Sequence, residues 1–137
     1  KWIVARLRRR NGQEPAAVGV VADAGVWHLG ARSIVEALES ASIRCRVLDR
    51  SCLTEEQLEP FEAIVMPGGW SVFQRAAAGK EGLDAIRGFV EKGGTYLGVC
   101  AGAYLAAKEV RWQGGTYPYP LILPEGLQKP SVRLVTQ

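Results

Sequence analysis

From Ala16 onward, short unbroken apolar runs alternate with longer stretches in which apolar and polar residues recur at helical spacing, and glycines mark the joins. That order is the pattern of βαβ units around a parallel sheet. Ala16 to Ala22 (AAVGVVA) is apolar throughout, as a strand covered on both faces should be. Asp23 to Gly30 reads as a loop. Ala31 to Ser42 places Ile34, Val35, Leu38 and Ala41 on one side and Glu36, Glu39 and Ser40 on the other, which predicts a helix packed on the sheet. Ile43 to Leu48 alternates Ile43, Cys45 and Val47 with Arg44 and Arg46, so it is expected at a sheet edge with one face near water. Phe61 to Met66 is a third strand, stopped by Pro67-Gly68-Gly69. Leu83 to Glu91 gathers Leu83, Ile86, Phe89 and Val90 on one helical side and is closed by Gly93 and Gly94. Thr95 to Val99 is a fourth strand running into Cys100, and Ala101 to Lys108 a short helix.

Beyond Lys108 the breakers Gly114, Gly115, Pro118, Pro120, Pro124 and Pro130 divide the chain into short pieces, with strand-like runs at Tyr119 to Leu123 and Val132 to Val135. Their density predicts a hairpin or meander in place of another βαβ unit. The expected class is therefore α/β, a mostly parallel sheet with a short β-rich C-terminal piece. A length of 137 residues with 47% hydrophobic and 23% charged positions is enough for one core and no second domain. We assign 16–137 to that domain and 1–15 to a basic N-terminal arm or edge strand. The longest apolar runs are far short of the roughly 20 residues of a bilayer span. A cytoplasmic location is expected; because the chain begins at Lys1, an exported mature form is the alternative.

Charge adds a second exclusion. The formal net charge is +3, but Lys1, Arg6, Arg8, Arg9 and Arg10 lie in the first ten residues, and without them 12 basic residues face 14 acidic ones. The domain body is slightly acidic, so a nucleic-acid face is poorly supported. The one histidine, His28, and three cysteines, Cys45, Cys52 and Cys100, show no zinc-ligand spacing, so neither a metal nor another cofactor is expected. An odd count leaves at least one thiol free.

Chemistry concentrates at Gly98-Val99-Cys100-Ala101-Gly102, a G-x-C-x-G segment directly after a strand and before a helix. This is a nucleophile elbow: the reactive residue occupies a sharp, strained turn, and flanking glycines relieve the crowding. The helix N-terminus favours thiolate over thiol, and the Ala101 N–H is placed for a developing oxyanion. Met66-Pro67-Gly68-Gly69-Trp70 ends another parallel strand, where open α/β sheets bind ligands. Its glycines leave backbone N–H groups accessible for a second oxyanion donor.

The two motifs, MPGGW and YLGVCAGAYLA (Tyr96 to Ala106), resemble the class I glutamine amidotransferase-like superfamily, and within it the biotin-protein ligase N-terminal-type domains. The resemblance runs from about Val18 to Tyr119. It implies a flavodoxin-like three-layer α/β/α sandwich, Cys100 as nucleophile and the N–H groups of Gly69 and Ala101 as oxyanion donors, with Gly68 in the same substrate-binding loop; Trp70 and Tyr104 depart from the family pattern by bringing bulk to the pocket rim, where aromatic rings suit stacking on a flat ligand. In amidotransferases of the superfamily a His and an acid late in the chain activate the cysteine, whereas the 37 residues after Cys100 hold no His and only Glu109 and Glu125 as acids. The in-chain candidates are His28 as base and Asp23, either orienting His28 or, as in the protease and deglycase branch, partnering the cysteine directly. The expected activity is amide or acyl hydrolysis through a thioester on a small-molecule substrate, in a homo-oligomer or with a second subunit supplying the base. The alternatives are a non-catalytic binding or regulatory module of the same fold and a redox-sensing cysteine protein.

Overall fold

The structure, a computed structural model, describes residues 16–107, 109–118 and 132–135. The proposed arm over 1–15 and the run Tyr119 to Leu123 lie outside them. In chain order the elements are β1 (Val18–Val21), α1 (His28–Ser40), β2 (Cys45–Leu48), α2 (Glu55–Leu58), β3 (Ala63–Met66), α3 (Ser71–Glu91), β4 (Thr95–Val99), α4 (Ala101–Leu105), β5 (Glu109–Trp112), β6 (Gly115–Pro118) and β7 (Val132–Val135).

Five strands form one sheet in the order β2-β1-β3-β4-β7, and every pairing in it is parallel. This is the flavodoxin-like strand order, in which a crevice opens where the winding reverses between β1 and β3. Side chains alternate across the strands as a two-sided sheet requires. Val21, Ile64, Met66 and Tyr96 join Leu53, Leu58, Leu83, Ile86, Phe89, Val90 and Leu105 in a core under α2, α3 and α4. Val18, Val20 and Val65 face the other way, against Ile34, Val35 and Leu38 of α1. The three layers α/β/α follow. β2 lies at the edge, as its alternating sequence predicts, with Arg46 over the Phe61 ring at 5.0 Å.

Several boundaries differ from the sequence expectation. α1 begins at His28, three residues before Ala31, which shortens the loop after β1. α3 begins at Ser71 and not at Leu83, with non-helical backbone at Gly79 (φ 64°, ψ 178°) dividing it into two segments. The helix after the elbow ends at Leu105. Val132–Val135 adds to the sheet in parallel beside β4, so the C-terminal region is not a hairpin or meander alone. It pairs with the edge of β4 that β3 leaves open. The hairpin itself is the antiparallel pair β5–β6, turning at Gln113-Gly114, both with positive φ, the geometry of a tight two-residue turn. Among the described residues no helix is long and apolar enough to cross a membrane, and no cluster of His, Cys, Asp or Glu could hold a metal ion.

Candidate active site

The register of β3 against β4 pairs Met66 with Gly98, so Pro67-Gly68 and Val99-Cys100 emerge side by side from the carboxyl edge of the sheet. Cys100 adopts φ 50°, ψ −113°, a conformation a side-chain-bearing residue keeps only where its surroundings impose it. Here they are close backbone approaches. A Cβ on Gly98 would lie 2.6 Å from the Gly102 carbonyl oxygen, and one on Gly102 would lie 2.1 Å from that of Met66. The start of α4 therefore sits directly on the ends of β3 and β4. From below, the buried Tyr96 hydroxyl donates to the Gly102 carbonyl at 2.7 Å. Burial pushes the Tyr96 hydroxyl well above the usual phenol range, so it stays a donor. The Cys100 carbonyl accepts the Ala103 amide at 2.9 Å and the Tyr104 amide at 3.3 Å, and the cysteine itself is exposed.

The second wall is the loop after β3. Trp27 N–H donates to the Gly68 carbonyl and Trp70 N–H to the Gly25 carbonyl, each at 2.8 Å, around an antiparallel bridge between Val26 and Gly69. In that pattern the central pair directs its own amides away from the partner strand, which keeps the Gly69 N–H out of the ladder. Gly69 has φ 144°, and a Cβ there would stand 2.0 Å from the Gly25 oxygen, so no other residue fits. A Cβ on Gly68 would lie 3.3 Å from the Cys100 Cβ and 3.9 Å from its Sγ. The Gly-Gly loop and the elbow are in contact.

Three helices start on this edge, with Trp27, Trp70 and Cys100 at their N-caps. None of the three provides a side-chain cap, and none of the helices has an acid in its first turn. Their positive ends are left unneutralised, a setting that favours an anion. The edge is also aromatic. Trp27, Leu29, Trp70, Val72, Phe73 and Tyr104 are all exposed, and Val47 is the one exposed large apolar residue described elsewhere. Large apolar side chains gathered on one exposed edge are the kind of surface that interaction sites use.

Cys100, Gly68, Gly69, Trp70, Ala101 and Tyr104 thus share the carboxyl edge, as expected from their motifs. Asp23 does not serve as expected. Its carboxylate takes Arg50 Nη2 at 2.9 Å, Arg50 Nε at 3.1 Å, and the amides of Ala24 and Arg50 at 2.6 and 2.7 Å. The Arg50 guanidinium, with those amides, holds its pKa down to about 2 against the opposing effect of burial. With its oxygens filled, Asp23 ties the loop after β1 to the 3-10 turn at Arg50–Cys52 and orients neither His28 nor Cys100. His28 is the exposed first residue of α1, and among the described residues it makes no hydrogen bond or ion pair to Cys100. Cys45 and Cys52 are free thiols within the fold, and burial raises the pKa of Cys45.

Gln74 carries no signal in the amino-acid pattern. In the first turn of α3, Val72 and Phe73 face solvent while Gln74 is 3% exposed, its Nε2 donating to the Pro67 carbonyl at 2.8 Å. That inversion of polarity is visible only once the helix is known to begin at Ser71.

The family described as biotin-protein ligase, N terminal, matches residues 23–123. The pyridoxal 5'-phosphate synthase subunit PdxT of Hyperthermus butylicus is 34% identical over 97 residues, covering 69% of this chain and 44% of that protein. The PdxT of Pyrobaculum arsenaticum is 46% identical over 57 residues, 41% of this chain and 28% of that protein. The chain thus spans less than half the length of these curated relatives. Among solved structures, a glutamine amidotransferase superposes with TM-score 0.57 and 31% identity over 75% of this chain and 51% of its own. A candidate protease I from Bacteroides thetaiotaomicron gives 0.52 and 25% over 63% of each. The elbow, the Gly-Gly loop and the strand order agree with these likenesses, and the chain belongs to the biotin-protein ligase N-terminal family, within the class I glutamine amidotransferase-like superfamily.

Proposed function

We propose that the chain carries the nucleophile half of a glutaminase-type site, with Cys100 attacking a carboxamide. The observation that carries this reading is the strained, exposed Cys100 held against the Gly68–Gly69 loop. Its thiolate Sγ adds to the amide carbon, and the carbonyl electron pair moves to oxygen, which accepts from the N–H groups of Gly69 and Ala101. The C–N bond then breaks. Nitrogen leaves as ammonia, carrying the proton first lost by the thiol, and water hydrolyses the thioester to restore Cys100 and release the acid. Trp70 and Tyr104 present apolar rims against which a substrate packs. His28, on the same edge, is the proton acceptor the chain itself offers. A second subunit is the other source, in keeping with relatives named as subunits of a synthase.

A binding or regulatory module is the second reading, favoured by one observation: no His or carboxylate among the described residues bonds to Cys100. Hydroxylamine separates the two, because it intercepts a thioester. With L-glutamine and hydroxylamine, the wild-type chain should form γ-glutamyl hydroxamate and Cys100→Ala none. Absence of hydroxamate from the wild type would overturn the reading in which His28 serves as the base, and equal yield from Cys100→Ala would overturn the enzymatic reading as a whole.

A further inference from the structure

Gln74, 3% exposed, is a buried side chain that carries a primary amide. Its Nε2 donates to the Pro67 carbonyl at 2.8 Å and reaches the Gly68 carbonyl at 3.5 Å, and the Gly68 carbonyl also accepts the Trp27 amide. A trans peptide points its N–H opposite to its C=O, and the chain contains no cis peptide among the described residues. Donors that hold the Gly68 oxygen therefore fix the direction of the Gly69 N–H. Because Gly68 lies against Cys100, that direction sets where the amide stands relative to the thiol.

The other end of the side chain argues against a packing role. Gln74 Oε1 is buried and finds no donor among the described residues, and the side chain borders a small cavity with Ala24, Val26 and Met66. An apolar residue of the same length would fill that space without burying an oxygen that lacks a protein donor. We propose that Gln74 is a positioning residue, holding the Gly68–Gly69 peptide so that the Gly69 N–H receives the oxyanion formed at Cys100. The proposal rests on the nucleophile reading above and adds a residue that acts through the loop without touching substrate.

Two thiol reagents separate positioning from structure. p-Nitrophenyl acetate acylates a cysteine through an oxyanion, whereas iodoacetamide displaces iodide without one. In Gln74→Met, acetylation of Cys100 should fall about tenfold or more relative to wild type, while alkylation by iodoacetamide is unchanged. In Gln74→Glu, the ratio of acetylation to alkylation should approach wild type at low pH, where a protonated carboxyl donates to Pro67, and drop as that carboxyl ionises. Taking the ratio cancels the thiolate fraction. Unchanged acetylation in Gln74→Met, or equal loss of acetylation and alkylation, would overturn the proposal. A different result sinks the nucleophile reading itself: wild-type protein that peptide mapping shows acetylated on Cys45 or Cys52 and not on Cys100.

Discussion

A left-handed backbone at a cysteine and at a glycine three residues past a strand end are the local strains on which the site depends. Cys100 holds φ 50° without the freedom of glycine, at a strain of about 1–3 kcal/mol, and the approaches at Gly98 and Gly102 keep it there. Gly69 combines φ 144° with a Cβ position 2.0 Å from the Gly25 oxygen. Gly69→Ala should therefore part the paired loops, lower stability by at least about 2 kcal/mol and reduce acylation of Cys100. Gly88 provides the contrast, because it lies inside α3 with nothing within 4 Å of a would-be Cβ. Gly88→Ala should stabilise by about 0.5–1 kcal/mol. Urea denaturation of both variants checks the pair, and equal effects would remove the strain argument at Gly69.

At the scale of elements, the loop after β1 is the joint on which the site turns. It is bonded to the Gly-Gly loop through Trp27 and Trp70, and to the 3-10 turn through Asp23 and Arg50. The folded pKa of Asp23 lies below its ordinary 3.8, so its contribution is full at neutral pH and is lost as pH falls through about 2. The Arg50 side chain is 61% exposed, and after solvent screening the pair contributes about 1 kcal/mol. Wild type should therefore lose more unfolding free energy between pH 4 and pH 2 than Asp23→Asn, as equilibrium denaturation across that range would show; parallel profiles would deny the coupling. The same loop shows where sequence reading stops. Its glycines and its place after an apolar strand were legible, but the partner of Asp23 is 27 residues away in a turn with no periodic signal. The first segment of α3 was hidden for a different reason. Val72 and Phe73 point outward and Gln74 inward, the reverse of the polarity by which a helix is recognised.

For the whole molecule, uniformly apolar runs at β1 and β3 announced a sheet covered on both faces, and the glycines around Cys100 announced the elbow. The strand order β2-β1-β3-β4-β7 puts both motifs on one edge. The place of β7 was not legible, because a four-residue strand-like run carries no record of which strand it joins or in which direction. The pairing of Asp23 was also misread, since a carboxylate in a loop beside a histidine looks the same whether it faces that histidine or an arginine. The proposed function requires that the fold make Cys100 reactive, and the three uncapped helix N-termini on this edge and the exposed, strained position of the cysteine support that reading. The direct test compares iodoacetamide alkylation rates of each cysteine in the native and urea-unfolded chain at neutral pH, resolved by peptide mapping. Cys100 should react faster in the native protein than in the unfolded chain, and Cys45, whose thiol burial holds protonated, slower. A native Cys100 that reacts no faster than its unfolded counterpart would contradict the account.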